Sequence, residues 1–190
     1  YVWIRNISNA LEKLKNVSEL RNAARNIDNM AVRDSLTGVY NRMGINRFVV
    51  DMVKQANTSR RRLLFIFADM DGLKKINDEF GHEAGDQAIC FAAEALQEAF
   101  CEKELIIRYG GDEFLVVSDA LCWEQAEEKK AQITALLKQW QRDEKLPYRL
   151  SMSIGYYQKE PDTEASMEQY INWADERMYE MKCKNREQRK

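Results

Sequence analysis

Apolar positions along this chain change period several times, and each change marks an element. From residue 1 to about residue 33, Ile4, Ile7, Leu11 and Leu14 repeat at heptad spacing with no Pro or Gly among them. Leu20, Ala24, Ile27 and Ala31 resume the repeat in another phase, with Val17 between. The three-residue steps through Leu14, Val17 and Leu20 form a stammer, which overwinds a coiled coil locally. The spacing predicts one helix that either pairs in parallel with a second copy or lies along its own domain. Asn and Lys dominate the other faces and favour pairing. Asp34-Ser35-Leu36-Thr37-Gly38 then breaks the pattern with turn formers. A helical period returns over residues 42–56, where Ile45, Phe48, Val49, Met52 and Val53 share a face.

Residues 63–68 read Leu-Leu-Phe-Ile-Phe-Ala, a continuous apolar run suited to a strand covered on both faces. A short helix is expected over 72–80 and a longer one over 84–100. Residues 105–109 and 114–117 read as strands joined at Gly110-Gly111, a strong hairpin signal. A helix over 123–140 precedes a strand over 150–156, in which Met152 and Ile154 alternate with Ser151, Ser153 and Gly155. The last helix is expected over 166–182. These elements predict a mixed α/β (α+β) domain over 34–190, its central sheet mostly antiparallel and flanked by helices, preceded by the helix of residues 1–33.

Composition narrows the choice of function. The chain has 190 residues, 45% hydrophobic and 32% charged, enough for one core plus an extension. No run approaches the ~20 apolar residues of a membrane helix; free thiols suit a reducing cytosol, and a cytoplasmic location is expected, on its own or as the cytoplasmic part of a larger, membrane-bound receptor. A net charge of −2 argues against a protein that coats nucleic acid. It leaves room for a nucleotide held by metal ions and a few lysines. Four cysteines without a CxxC pair and a single histidine cannot make a zinc set. The first residue is Tyr rather than Met, so the sequence reads as a fragment, and an upstream sensor domain is expected before it.

Two acidic clusters carry the candidate chemistry. Asp69 ends the apolar strand and Asp71 follows, where carboxylates on a rigid element open into a loop. That placement suits Mg²⁺, which takes few carboxylates and completes its shell with water and phosphate; an Asp there also commonly caps the next helix. Gly110-Gly111-Asp112-Glu113 places two more carboxylates just past a tight turn, where they repel each other unless solvated or bridged by a cation. Regular strand geometry points them to opposite faces. Asn77 and Asp86 can read a base edge: a carboxylate accepting from N1–H and the exocyclic amine of guanine discriminates against adenine. Both are equally good turn or cap residues.

Taken together, Asp69-Met70-Asp71-Gly72-Leu73-Lys74-Lys75-Ile76-Asn77-Asp78, Gly81-His82, Gly85-Asp86 and Arg108-Tyr109-Gly110-Gly111-Asp112-Glu113-Phe114 resemble the GGDEF family of diguanylate cyclases. Asp34-Ser35-Leu36-Thr37-Gly38 with Asn41-Arg42 resembles that family's opening motif. Ser153-Ile154-Gly155 and Ala174-Asp175 through Met178-Tyr179, Lys182 and Arg186 resemble its closing strand and helix. The resemblance implies a five-stranded, nucleotidyl cyclase and polymerase palm-like sheet, of which four strands are legible in the hydrophobic pattern. It implies two GTP molecules joined into cyclic di-GMP between two protomers, with two Mg²⁺ ions, or Mn²⁺, at each half-site. Asp69, Glu113 and the Met70 carbonyl would bind metal, and Asp112 would bind metal or accept the attacking hydroxyl's proton. Asn77, Asp86 and His82 would hold guanine, and Lys74, Lys182 and Arg186 would neutralise the triphosphate. Dimerisation is expected through the N-terminal helix and the catalytic face, and tethering raises the local concentration of the second half-site.

Three departures from the family pattern stand out. Its inhibitory RxxD motif, nine residues before the first glycine, is here Cys101-Glu102-Lys103-Glu104, so feedback inhibition through that site is not expected. Gly72 stands where Phe is common, and Asn185 where Gly is. The rival reading is a silent GTP-binding or dimerisation module that regulates a partner domain.

Overall fold

A strand with eight consecutive buried residues must be covered on both faces, and β1 (Leu63–Met70) is such a strand. Leu64, Ile66, Ala68 and Met70 face one apolar cluster, while Leu63, Phe65 and Phe67 face the other. Each large side chain buried this way contributes roughly 1.5–3 kcal/mol. The computed structural model describes residue 15, residues 31–100 and residues 103–187, with side chains to residue 183. Most of the expected N-terminal coiled coil therefore lies outside the described residues.

A single π-helical turn (Ile45–Val49) leads into α1 (Val50–Thr58). The turn is fitted around Tyr40, whose ring lies 4.8 Å from that of Phe48. After β1 come α2 (Leu73–Phe80), α3 (His82–Ala99), β2 (Leu105–Gly110) and β3 (Glu113–Ser118). The chain then forms α4 (Trp123–Asp143), β4 (Met152–Lys159) and α5 (Met167–Glu187). The sheet order is β2-β3-β1-β4, and every neighbouring pair is antiparallel. Helices α3 and α4 supply apolar side chains to one face, and α1 and α5 to the other.

The described residues thus form four strands rather than the five implied by the family resemblance. Tyr40 attaches to the outer edge of β2 by one parallel bridge: its amide donates to the Ile106 carbonyl at 3.0 Å, and its carbonyl accepts from the Arg108 amide at 2.7 Å. The last strand starts two residues later than its alternation suggests and runs on to Lys159, because residues 157–159 still pair with β1.

Two local devices fix the end of the sheet where the acidic residues gather. A Cβ on Gly155 would lie 2.0 Å from the Met178 amide nitrogen, so α5 rests with its backbone directly on β4. Arg108 ties the β2–β3 turn to the segment at the head of the domain: its Nε donates to the Gly111 carbonyl at 2.9 Å, and its Nη1 donates to the Asp34 carboxylate at 3.1 and 3.2 Å. Burial pushes the Asp34 carboxyl up, but hydrogen bonds from the Thr37 hydroxyl and amide, together with Arg108, outweigh it and leave it below its ordinary value.

Gly155→Ala is expected to lower unfolding free energy by roughly 2–4 kcal/mol in urea titrations, because the methyl group meets backbone that cannot rotate away. Asp34→Asn should cost about 1 kcal/mol at pH 7 through its lost charged hydrogen bonds. A depressed folded pKa stabilises above the unfolded value and ceases to do so as pH falls through the folded one. The gap between Asp34→Asn and wild type should therefore close as pH drops below 3.8, read from urea midpoints at stepped pH.

Candidate active site

The register of β1 against β3 places Asp69 directly opposite Glu113. Cross-strand partners share a face, and here it is the face covered by α5, which carries Phe67 and Leu115 one alternation away. The Met70 amide donates to the Asp112 carbonyl at 3.1 Å, so the turn is fastened to the strand end beside the two carboxylates. Gly111 takes φ +46°, which lets the chain reverse between Gly110 and Glu113. From above, Lys182 of α5 donates to the Asp69 carboxylate at 2.5 Å, and both side chains are mostly buried. Lys182 lies one helical turn past Met178, so the close approach at Gly155 sets the height from which it reaches down.

These groups conflict electrostatically. Burial pushes the Asp69 carboxyl up; the hydrogen bond from Lys182 opposes this, and the charges of Asp112 and Asp71 add to it. Glu113 is raised by burial first and then by Asp69, Asp112 and Asp175, with Lys182 opposing. Asp175 is itself raised by burial and by Glu176, again with Lys182 opposing. One ammonium thus faces several carboxyls that fail to balance, and a site with this deficit favours further cations.

Among the described residues, no three acidic, histidine or cysteine side chains form a ready-made metal cage. A Mg²⁺ ion takes one or two carboxylates and completes its shell with water and substrate phosphate. The donors are hard oxygens, and the resident ammonium shows that the pocket accepts a cation. Asp69 and Glu113 therefore fit Mg²⁺ or Mn²⁺ as paired ligands, with Asp112 close enough for its charge to act on both.

Asp71 plays another part. It is buried and accepts from the Ser151 hydroxyl at 2.9 Å and the Ser153 hydroxyl at 2.7 Å, while its amide donates to the Ser151 carbonyl. It clamps the start of β4 to the end of β1, a structural use of the second carboxylate of the strand end.

The remaining candidates lie on the elements around the strand ends. Gly72, at φ +78°, opens α2 two residues after β1 ends, so the first amides of α2 and the exposed Lys74 stand at the carboxylate end of the sheet. Asn77 packs so tightly on Gly85 that a Cβ there would fall 1.8 Å from its Oδ1. Asp86 follows Gly85, and His82 and Asp86 are exposed one turn apart on α3. Arg186 lies on the last turns of α5, beyond the described side chains. Glu104, the last residue of the altered inhibitory motif, is buried and accepts from the Ser118 hydroxyl at 3.3 Å; Cys101 and Glu102 lie outside the described residues.

Sequence reasoning assigned no role to Asp175 or to the Arg108–Asp34 tie. The first had a signal, since Asp175 and Lys182 stand seven residues apart on one helix and so share a face. The second had none, because residues 34 and 108 meet only through folding.

The Diguanylate cyclase, GGDEF domain family matches residues 31–188. Diguanylate cyclase DgcP of Escherichia coli is 30% identical over 184 residues, covering 93% of this chain and 52% of that protein. The bifunctional diguanylate cyclase/cyclic di-GMP phosphodiesterase MucR of Pseudomonas aeruginosa is 31% identical over 169 residues, covering 89% of this chain and 24% of that protein. The chain thus spans about half or less of the length of these relatives. The solved coiled coil and GGDEF domain of DgcB from Caulobacter crescentus, in complex with c-di-GMP, has the same fold, with a TM-score of 0.75, 20% identity, and coverage of 92% of this chain and 93% of that one. By the span of the family match and the strand-end and hairpin motifs it contains, this chain belongs to the GGDEF-domain diguanylate cyclase family.

Proposed function

We propose that this domain condenses two GTP molecules into cyclic di-GMP and two pyrophosphates, each of two facing protomers supplying one bound GTP. The observation that carries this reading is the cross-strand pairing of Asp69 with Glu113 beneath Lys182. A carboxylate pair that is left under-neutralised matches a reaction in which phosphate and cations arrive together.

Divalent ions held by Asp69 and Glu113, with Asp112 and the Met70 carbonyl completing the set, would supply Lewis-acid stabilisation of the charge that develops on the attacking and leaving oxygens. The protein's own groups do the rest. Asn77, Asp86 and His82 orient guanine, with Asp86 accepting from its N1–H edge. Lys74, Lys182 and Arg186 neutralise the triphosphate, and the amides at the start of α2 add dipole and hydrogen bonds. Where it is not itself a metal ligand, Asp112, on the turn tied to Met70, accepts the proton of the attacking 3′-hydroxyl. Phosphoryl transfer of this kind asks mainly for positioning and charge, which rigid strand ends provide.

Because two half-sites must meet, residues 1–33 serve as a dimerising tether, and residues 34–190 form the catalytic domain. The domain belongs in the cytoplasm, where GTP is found; no helix among the described residues is long and apolar enough to cross a membrane. The buried Glu104, in a motif lacking arginine, points to a domain without the usual product-inhibition site.

Incubation with GTP, ATP and Mg²⁺, with products identified by mass, should yield cyclic di-GMP alone. A folded, dimeric protein that leaves GTP untouched would instead be a silent binding module. Asp69→Asn and Glu113→Gln should each lower turnover at least about 100-fold with folding intact. Glu113→Gln should also stabilise the metal-free protein at neutral pH, by about 1 kcal/mol in thermal melts. The sign follows from the raised Glu113 carboxyl: such a group favours the fold at low pH and ceases to do so as pH rises through its folded value. Glutamine removes that repulsion.

A further inference from the structure

Lys182 is expected to meet the triphosphate, yet in this structure it meets Asp69. Its ammonium lies 2.5 Å from Oδ1 of a carboxylate that is 9% exposed, and its own side chain is 20% exposed. Its charge is the cation acting on Asp69, Glu113 and Asp175 together. A divalent ion and an ammonium on one carboxylate repel each other, and in a partly buried site that repulsion is only weakly screened. Removing the lysine without replacement would leave Asp69 buried and unpaired, which is also unfavourable. The lysine therefore leaves only when something else takes its charge and something else neutralises the carboxylate.

We propose that Lys182 is a resident counter-cation whose exchange couples metal loading to nucleotide loading: it holds Asp69 until a triphosphate draws it away, freeing the carboxylate for a divalent ion. This rests on the cyclase reading of the site and goes beyond it, because it assigns the lysine a role before substrate is present. The exchange needs only a side chain to swing. The backbone of α5 is seated on β4 at Gly155, one turn before Lys182, and cannot slide easily. A four-carbon stem gives the ammonium the reach to move from carboxylate to phosphate while the helix stays in place. The arrangement suits a domain with no ready-made metal cage among its described residues. It keeps the acidic end of the sheet folded and neutralised without metal, and it disfavours a metal bound without GTP.

Coupling of this kind is reciprocal: whatever lowers the cost of displacing the lysine raises metal affinity, and a bound metal raises affinity for the group that captures the lysine. The test is Mn²⁺ binding to the full chain, read from loss of the free-ion electron paramagnetic resonance signal, with and without a GTP analogue whose α–β linkage cannot be cleaved. Wild type is expected to bind Mn²⁺ weakly alone and far more tightly with the analogue. Lys182→Gln is expected to bind Mn²⁺ alone about tenfold more tightly than wild type, within the usual span of such couplings, and to gain less on adding the analogue. Lys182→Arg, which keeps the charge, should retain wild-type weakness toward Mn²⁺ alone. A lysine that merely supported the fold would lower the melting temperature in Lys182→Gln and leave nucleotide-free Mn²⁺ affinity unchanged or reduced, and that result overturns the proposal. Should Lys182→Gln fail to fold, Lys182→Arg and Lys182→Met carry the same comparison; equal Mn²⁺ affinity in the two also overturns it. If wild type binds Mn²⁺ with the analogue and Lys182→Gln behaves like wild type, only the exchange is wrong. If wild type binds no Mn²⁺ under either condition, the cyclase reading falls with it.

Discussion

The pairing of β1 with β3 sets two carboxylates side by side at the end of a sheet whose central strand is wholly buried. Nothing local favours this. Asp69 and Glu113 repel each other, burial penalises both charges, and Asp112 and Asp175 worsen the balance. The register is imposed from elsewhere. Phe65, Phe67, Leu115 and Val117 fill one face, and Leu64, Ile66, Phe114 and Val116 fill the other. Slipping β3 by one residue against β1 would turn Phe114, Leu115, Val116 and Val117 each to the wrong cluster. The hydrophobic sheet thus holds an electrostatic conflict in place, and local frustration of this kind, inside an otherwise consistent fold, is typical of sites built for chemistry.

A second constraint governs what relieves the conflict. Helix α5 can lie on β4 only because Gly155 has no side chain, and Tyr170, Ile171, Ala174 and Met178 complete that contact. Extending the same helix by one turn brings Lys182 over Asp69. The position of one cation is therefore decided by a missing methyl group on a different element. Arg108 acts likewise on the opposite side of the hairpin, linking the turn carbonyl of Gly111 to Asp34 at the head of the domain. The same hairpin is tied to the head of the domain a second time, since Tyr40 is hydrogen-bonded into the edge of β2.

How much of this was legible in the sequence depended on whether the signal was local. The run of residues 63–68 announced a doubly covered strand because burial on both faces erases alternation, and the paired glycines announced the hairpin. The acidic residues at both strand ends were visible for the same reason: they interrupt apolar runs. Contacts between residues distant in sequence stayed hidden. The proximity of Asp69 to Glu113 was expected, but its cause, a direct cross-strand register, was not readable. Asp71 stood out only as a second carboxylate beside Asp69, and its engagement by Ser151 and Ser153, about eighty residues away, had no local signal. Gly155 looked like one more residue in an alternating strand, because no pattern in β4 itself encodes the approach of α5. The five strands implied by resemblance became four among the described residues, with Tyr40 contributing a lone bridge to the sheet edge.

The cost of the carboxylate arrangement also bears on the choice between an enzyme and a silent module. A domain that only bound nucleotide would gain stability by replacing Glu113 or Asp175 with neutral residues, since burial and neighbouring charge disfavour the ionised form of both. A single carboxylate paired with Lys182 would suffice to anchor α5. The chain instead keeps Asp69, Asp112 and Asp175 near enough to Glu113 for each charge to act on it, and sets one lysine against them. An excess of negative charge over fixed positive charge is useful where additional cations take part in the working state, and it is a burden otherwise. That asymmetry favours catalysis, and it explains why the counter-cation is a flexible lysine, which can leave, rather than an arginine locked in a fork of hydrogen bonds like Arg108.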